Sequence, residues 1–375
     1  MNRSEPMSKT PSLFESLVQQ RTLGYLLLGL ILLVAIWRLG NALLENPSLF
    51  LQQVTNGLQI GFVYALIALG YTMVYGIVRL INFAHGDVFM VGAFTSFYAI
   101  SRMQLHLWPR VLFPNLNPFL GDAIGTVTVV LLSMVVCALL AVTIERVAYK
   151  PLRNAPRISA LITAIGVSFF LEYFGALNFV YTANYITYRR PFDVVTWVIG
   201  NQGVQVLQRG QEVPPGAIIF SNISFIIIIV SIILLVLLQY FVKNTRTGKA
   251  MRATAYDRQT ARLMGVDVDA TISTTFAIGA ALAGAAGVLY AIAYPQVVFW
   301  MGIIPGLKAF VAAVLGGIGS IPGAVVGALI LGQAETLSAA YISTPMRDAI
   351  AFSILIIVLL VRPTGIFGEA QREKA

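Results

Sequence analysis

Charge is scarce in this chain. Only 11% of its 375 residues are Asp, Glu, Lys or Arg, against about a quarter in an ordinary soluble domain. A water-soluble fold of this size is excluded. Cysteine occurs once, at Cys137 inside an apolar run. An intrachain disulfide is therefore impossible, and the thiol serves as a small buried hydrophobe. The two histidines, His85 and His106, have no second ligand at metal spacing, so no metal site is expected. Nucleotide and hydrolase signatures are missing too. The chain has no Gly-x-x-x-x-Gly-Lys-Ser/Thr, no Gly-x-Ser-x-Gly and no His-Glu-x-x-His. If ATP drives this protein, another subunit binds it.

What is present is apolar surface. Hydrophobic residues make up 58% of the chain, and mean hydropathy is +0.81. The apolar runs are about twenty residues long and apolar on all sides, which suits membrane helices. A β-barrel would show alternating segments of roughly ten residues. The chain is therefore expected to be an all-α polytopic membrane protein with about ten spans, eight to ten being compatible with the runs. The spans fall at Tyr25–Leu44, Val54–Val78, Val88–Leu105, Ala123–Ile144, Ile158–Val180, Ala217–Val242, Ala270–Ile292, Ile303–Ile318, Pro322–Tyr341 and Met346–Val361. The eighth is short and Gly-rich, as a half-helix would be. The first follows a charged leader and so also resembles a signal peptide. Its core is long and no small-x-small site follows, so a retained span is expected.

The expected organisation is a cytoplasmic tail over 1–20, an additional N-terminal span within 21–46, a permease domain over 47–368 and a short tail at 369–375. The net charge of +9 would suggest nucleic acid in a soluble protein. Here the basic residues cluster in short loops between spans. Arg146, Lys150, Arg153 and Arg157 occupy one loop, and Lys243, Arg246, Lys249, Arg252, Arg258 and Arg262 another. This is the positive-inside bias, and it places both termini in the cytoplasm.

The second of these loops, 243–269, is too structured to be a bare connector. Asp257 is placed as an N-cap, two turns of helix follow, and Gly265 is a natural stop. A short helix below the bilayer is what a membrane subunit offers a soluble partner. The long segments Met103–Asp122 and Thr182–Gly216 face the other side, as a cap or partner surface or as plain connections.

Two hydrophobic hairpins are interrupted on the same side, at Gly76–Asp87 and at Gly316–Gly323. Each is followed by Val-Gly-Ala, at Val91-Gly92-Ala93 and Val326-Gly327-Ala328. They are a candidate internal repeat, and broken helices in matching positions point to a transport path. The polar break Asn82, Phe83, Ala84, His85, Gly86, Asp87 either lines that path or satisfies local backbone. Glu172 lies inside an apolar run, and so does Glu335 nearer the outer end. An ionisable residue there is costly and is a functional candidate by default. Glu145 and Arg146 are read as a local ion pair or anchor at a helix end.

Several of these stretches together resemble branched-chain amino acid permeases of the ATP-binding-cassette (ABC) class. They are Thr55–Ala99 (TNGLQIGFVYALIALGYTMVYGIVRLINFAHGDVFMVGAFTSFYA), Ile144–Arg153 (IERVAYKPLR), Lys308–Leu331 (KAFVAAVLGGIGSIPGAVVGALIL) and Val361–Gly368 (VRPTGIFG). The resemblance covers about residues 50–368 and is to the smaller-type permease of the high-affinity importer. It implies a non-catalytic subunit of the bacterial inner membrane that carries neutral or branched-chain amino acids. It also implies a homologous second permease, two ATPase subunits that bind ATP and Mg²⁺, and a periplasmic binding protein. No cofactor is expected on this chain. By the same resemblance, ATPase coupling falls to Gly248, Lys249, Arg252, Ala253, Asp257, Arg258, Ala261, Leu263 and Gly265. The substrate pathway is expected near Asn82, Phe83, His85, Gly86, Asp87, Glu172, Gly316, Gly317 and Gly319. Urea and short-chain amide permeases share the Asn-x-x-His-Gly region and remain an alternative. An ion-coupled secondary transporter and a membrane scaffold are further ones.

Overall fold

A computed structural model describes residues 29–30, 33–34, 37–153, 155–200, 203–207, 211, 214 and 216–368. The expected tails at 1–20 and 369–375 lie outside the described residues, as does part of the 21–46 span. The described part of that span is helical up to Glu45. The helices that follow are α1 (Pro47–Val78), α2 (His85–Ser101), α3 (Pro118–Ile144), α4 (Arg157–Gly175), α5 (Asn222–Asn244), α6 (Arg246–Tyr256), α7 (Arg258–Leu263), α8 (Val268–Ala293), α9 (Ile303–Gly316), α10 (Ile321–Tyr341) and α11 (Arg347–Val361). A π-helical turn, Glu145–Tyr149, and a 3₁₀ turn, Lys150–Leu152, prolong α3.

Among the described residues six helices are long and apolar enough to cross a membrane: α1, the prolonged α3, α4, α5, α8 and α10. Their starts follow ordinary capping chemistry. Asn46 accepts the Leu49 N–H ahead of Pro47, Asn117 accepts the Phe119 N–H ahead of Pro118, and Asp267 accepts the Ala270 N–H. Two of these six are shorter than drawn from the sequence. The α4 helix stops at Gly175, and α5 begins only at Asn222.

Burial divides the helices. Of the most apolar window, 83% is buried in α1 and 72% in α8, against 22% in α4 and 17% in α5. The first two form the core, and the outer helices turn residues such as Phe169, Phe170, Ile229 and Val236 outward, as lipid contact requires. The core closes on small residues. A methyl on Gly70 of α1 would come within 2.9 Å of the Gly279 carbonyl oxygen of α8. Residues Tyr75–Val78 of α1 share a cavity wall with Ile272 and Phe276 near the start of α8. The two core helices therefore run antiparallel.

The all-helical expectation gives way at one end of the bundle. There β2 (Thr196–Gly200) is flanked by β3 (Gly203–Val206) and β4 (Ile218–Ser221) in an antiparallel sheet; β2 and β3 lie in the expected outer segment, whereas β4 occupies what was drawn as the start of the span Ala217–Val242. The strand β1 (Ile186–Thr187) pairs with β5 (Gln296–Val297). These strands are rich in Ile, Val, Thr and Trp, which favour extended backbone.

Two helices that meet inside the bundle are short. At 1.5 Å per residue, α2 spans about 25 Å and α9 about 21 Å, short of the roughly 30 Å hydrocarbon core. The α2 helix starts about two turns before the end of α1, where a methyl on Gly70 would strike the His85 ring at 2.2 Å. Residues 79–84 thus fold back along the last two turns of α1. The α9 helix starts against α2. A methyl on Gly86 would lie 2.6 Å from the Gly302 carbonyl oxygen, and one on Gly302 would lie 2.3 Å from that of Gly86. The chain therefore presents two re-entrant breaks: α1 to α2 through 79–84, and α8 to α9 through 294–302.

This corrects the sequence-based pairing of hairpins. Gly316–Gly323 is a close-packed turn, where a methyl on Gly316 would lie 1.9 Å from the Gly323 carbonyl oxygen and one on Gly317 would lie 2.5 Å from the Gly368 nitrogen. Its glycines serve backbone contact, and the structural partner of the first break is the segment 294–302.

Candidate functional site

Where α2 and α9 meet, a cavity of about 130 Å³ is lined by Tyr71, Phe83, Gly86, Asp87, Ser168 and Phe310, among others. Gly86, Gly302 and Gly306 let the two helix starts approach within backbone contact. Asp87 is only 2% exposed and accepts a hydrogen bond from the Ser168 hydroxyl. Glu172, one helical turn beyond Ser168 on α4, is buried close enough to Asp87 for the carboxylates to interact. The edge-on pairs Tyr71–His85 at 4.8 Å and Tyr71–Phe310 at 5.7 Å frame the wall. The space is small and mostly apolar, with one buried carboxylate and the positive ends of two helix dipoles nearby. The carboxylate can meet an ammonium group and the helix N-termini a carboxylate, beside an aliphatic side chain.

The expected pathway residues separate here. Phe83, Gly86 and Asp87 line the small cavity, and Glu172 stands behind it. His85 packs its ring on Gly70 and Tyr71 and lines neither cavity described here. Asn82 accepts a 2.6 Å hydrogen bond from the Tyr149 hydroxyl, which pins the first break to the π-helical turn. Gly316, Gly317 and Gly319 belong to the α9–α10 turn. Sequence reasoning missed Tyr71, Ser168 and Phe310. Only the Ser168–Glu172 spacing of four residues, which puts both on one face of α4, could have signalled one of them.

A larger cavity of about 800 Å³ opens at the same end as α6 and α7, with Arg79, Glu145, Tyr149, Arg153, Asp257 and Arg258 in its wall. Glu145 is fully buried. It pairs with Arg153 rather than with the expected Arg146, and Ser273 donates to it at 2.6 Å. Arg153 also reaches Asp269, which Lys150 meets at 3.1 Å. This network ties the end of α3 to the start of α8.

The α6–α7 element has the capping drawn from the sequence. Asp257 accepts the Gln259 and Thr260 N–H groups, and Gly265 adopts φ +83°. Gly248, Met251, Thr254 and Ala261 are buried against the bundle. Lys249, Arg252, Ala253, Tyr256, Leu263 and Met264 are exposed, Leu263 at 86%. The Gly248 backbone lies so close that a methyl there would sit 2.4 Å from the carbonyl oxygens of Phe241 and Val242. Gly248→Val is therefore expected to tilt α6 and to lower co-purification of any partner docked on it by about tenfold, measured by pull-down from solubilised membranes.

Toward the opposite end Lys308 on α9 is 2% exposed. It donates to Glu335 on α10 at 2.7 Å and forms an ion pair with Asp348 on α11 at 2.8 Å. Tyr64 on α1 donates to the other Glu335 oxygen at 2.9 Å. Glu335 is thus a joint between four helices.

Comparison with known proteins agrees on one family. Residues 53–359 match the model of the branched-chain amino acid transport system permease component. The chain is 41% identical over 336 residues to the high-affinity branched-chain amino acid permease LivH of Salmonella typhimurium, covering 88% of this chain and 99% of the relative. Identity to LivH of Escherichia coli K12 is 42% over 330 residues, with the same coverage. Identity to BraD of Pseudomonas aeruginosa is 40% over 325 residues, covering 87% and 98%. No solved structure matches at a significant level.

Proposed function

The chain belongs to the permease-component family of branched-chain amino acid transport systems, and we propose that it forms the smaller-type membrane subunit of an ABC importer for neutral, branched-chain amino acids. A binding protein delivers the amino acid at the β-sheet end of the bundle. The substrate passes the small cavity between α2 and α9, where Asp87 meets its ammonium group and Phe83, Leu307 and Phe310 meet its side chain. It leaves through the larger cavity. The observation that carries this reading is the convergence of two short helix starts on one buried carboxylate in an otherwise apolar cavity.

In this reading the chain spans the inner membrane about ten times with both termini in the cytoplasm. It pairs with a homologous permease. ATP and Mg²⁺ bind to two ATPase subunits, which dock on the exposed, basic face of α6–α7. Nucleotide-driven closure moves that element and switches the cavity between its two faces. A metal or cofactor on this chain has no part in the cycle.

Two experiments test the reading. Proteoliposomes with the complete complex should take up leucine, isoleucine or valine on ATP addition, with competition by neutral amino acids and none by urea. Uptake by this chain alone, sensitive to a protonophore and indifferent to ATP, would sink it. The double variant Arg252→Glu with Asp257→Arg is expected to release the ATPase from the complex, because it reverses charge on the exposed face and removes the α7 cap. Unchanged ATPase association and uptake would show that docking lies elsewhere.

A further inference from the structure

Both re-entrant breaks open where an arginine from elsewhere in the chain caps the last carbonyls of a core helix. At the end of α1, the Arg79 N–H closes on the Tyr75 carbonyl at 2.8 Å, and Arg79 turns into the left-handed region at φ +55°. The chain then leaves the helix, so the Ile77 carbonyl loses its helical partner. Arg258, the first residue of α7, fills the gap, with its Nε at 3.2 Å and Nη2 at 2.7 Å from that oxygen. At the end of α8, the Tyr294 N–H closes on the Tyr290 carbonyl at 2.8 Å. Arg190, from the segment between β1 and β2, meets the orphaned carbonyls there. Its Nε lies 2.8 Å from the Ile292 oxygen and its Nη2 3.4 Å from that of Ala293. Each arginine comes from outside the helix pair it caps. One caps at the α6–α7 end of the bundle and the other at the sheet end.

These contacts are well placed to transmit movement. The α7 helix has six residues, of which only Ala261 is buried, so Arg258 is a principal tie between it and α1. The chain from Ile77 leads directly to Phe83, Gly86 and Asp87 in the small cavity. From Ile292 it leads to Gly302 and Gly306 on the facing side of the same cavity. The guanidinium groups sit where a charge is costly. Burial pushes both pKa values down, and Arg153 and Arg79 add to the effect at Arg258. A cation at a helix C-terminus offsets part of that cost.

We propose that Arg258 and Arg190 are paired positioning residues that link the two docking faces to the two re-entrant breaks. Arg258 carries movement of the ATPase-docking element to the α1–α2 break, and Arg190 carries binding-protein docking at the sheet end to the α8–α9 break. The proposal rests on the docking assignment above.

The test uses the complete complex in proteoliposomes, with leucine-loaded binding protein as the probe and co-purification, basal ATP hydrolysis, stimulated hydrolysis and uptake as readouts. Arg258→Ala and Arg190→Ala are expected to assemble, and Arg190→Ala to keep basal hydrolysis within about twofold. Stimulated uptake falls about tenfold in each. Arg258→Lys recovers much of it, because both guanidinium nitrogens serve a single carbonyl. A pair of caps with no coupling role would lower stability and leave the ratio of uptake to hydrolysis at the wild-type value, and that result overturns the proposal. If Arg258→Ala does not assemble, Arg258→Lys is the variant measured, and failure of that variant too assigns Arg258 a purely structural role. The Arg252→Glu, Asp257→Arg pair separates the two readings. Intact ATPase binding there removes the docking assignment. Lost binding there, with wild-type coupling in both alanine variants, removes the arginine link alone.

Discussion

Asp87→Asn is expected to leave the complex assembled while lowering amino-acid uptake by about a hundredfold, the low end of what loss of a desolvated charge contact produces. The amide keeps an oxygen to accept from Ser168, so local structure should persist. What disappears is the only carboxylate lining the small cavity among the described residues. Glu172 stands behind Asp87 and does not replace it at the wall. Uptake in proteoliposomes, normalised to complex incorporated and with unaltered binding protein, measures the effect. Uptake of Asp87→Asn at the wild-type rate would mean that the ammonium group is held elsewhere.

The second large effect concerns stability. Lys308→Met leaves Glu335 buried, with Tyr64 as its nearest remaining donor and the half-exposed Arg347 at 3.7 Å. Removing one partner of a buried pair costs about 3–5 kcal/mol. The melting temperature of the purified subunit should fall by several degrees, and its yield from membranes should drop with it. Lys308→Met combined with Glu335→Gln should recover most of the loss, since no unpaired buried charge then remains. A single variant that melts like the wild type, or a double variant worse than the single, would show that the pair does not hold α9 to α10.

Class was legible in the sequence because it depends on composition and local chemistry, and broad function through the resemblance of several long motifs to a known permease family. Long apolar runs force helices wherever water is absent. The run of Lys and Arg between Lys243 and Arg262, with Asp257 and Gly265 as punctuation, specifies a capped helix by itself, since capping involves only neighbours in the chain. The acidic break at Asn82–Asp87 was also visible, because polar residues are rare enough here for one cluster to stand out.

The site was less legible. Gly316–Gly323 attracted attention through its glycine density, yet that density serves a packed turn. The partner of the first break, 294–302, contains Pro295, Gln296, Phe299 and Trp300 and shares no pattern with 79–84. The two are related by geometry, not by residue type. His85 was a pathway candidate because it is polar. Its neighbour Gly70, fifteen positions earlier in the chain, decides that it packs against α1 instead. Tyr71 and Phe310 are ordinary members of apolar helices until α2 and α9 bring them together.

By itself, then, the sequence determined a helical membrane protein, a capped basic loop between two of its helices and, through shared motifs, its family. Those properties are sums over residues or interactions within a few positions. The tertiary structure alone decided that two helices begin inside the bundle, that Asp87 rather than His85 faces the cavity, and that Arg258 and Arg190 cap opposite ends of the core pair. Each of those depends on backbone approach between segments far apart in the chain, which small residues permit and do not by themselves specify.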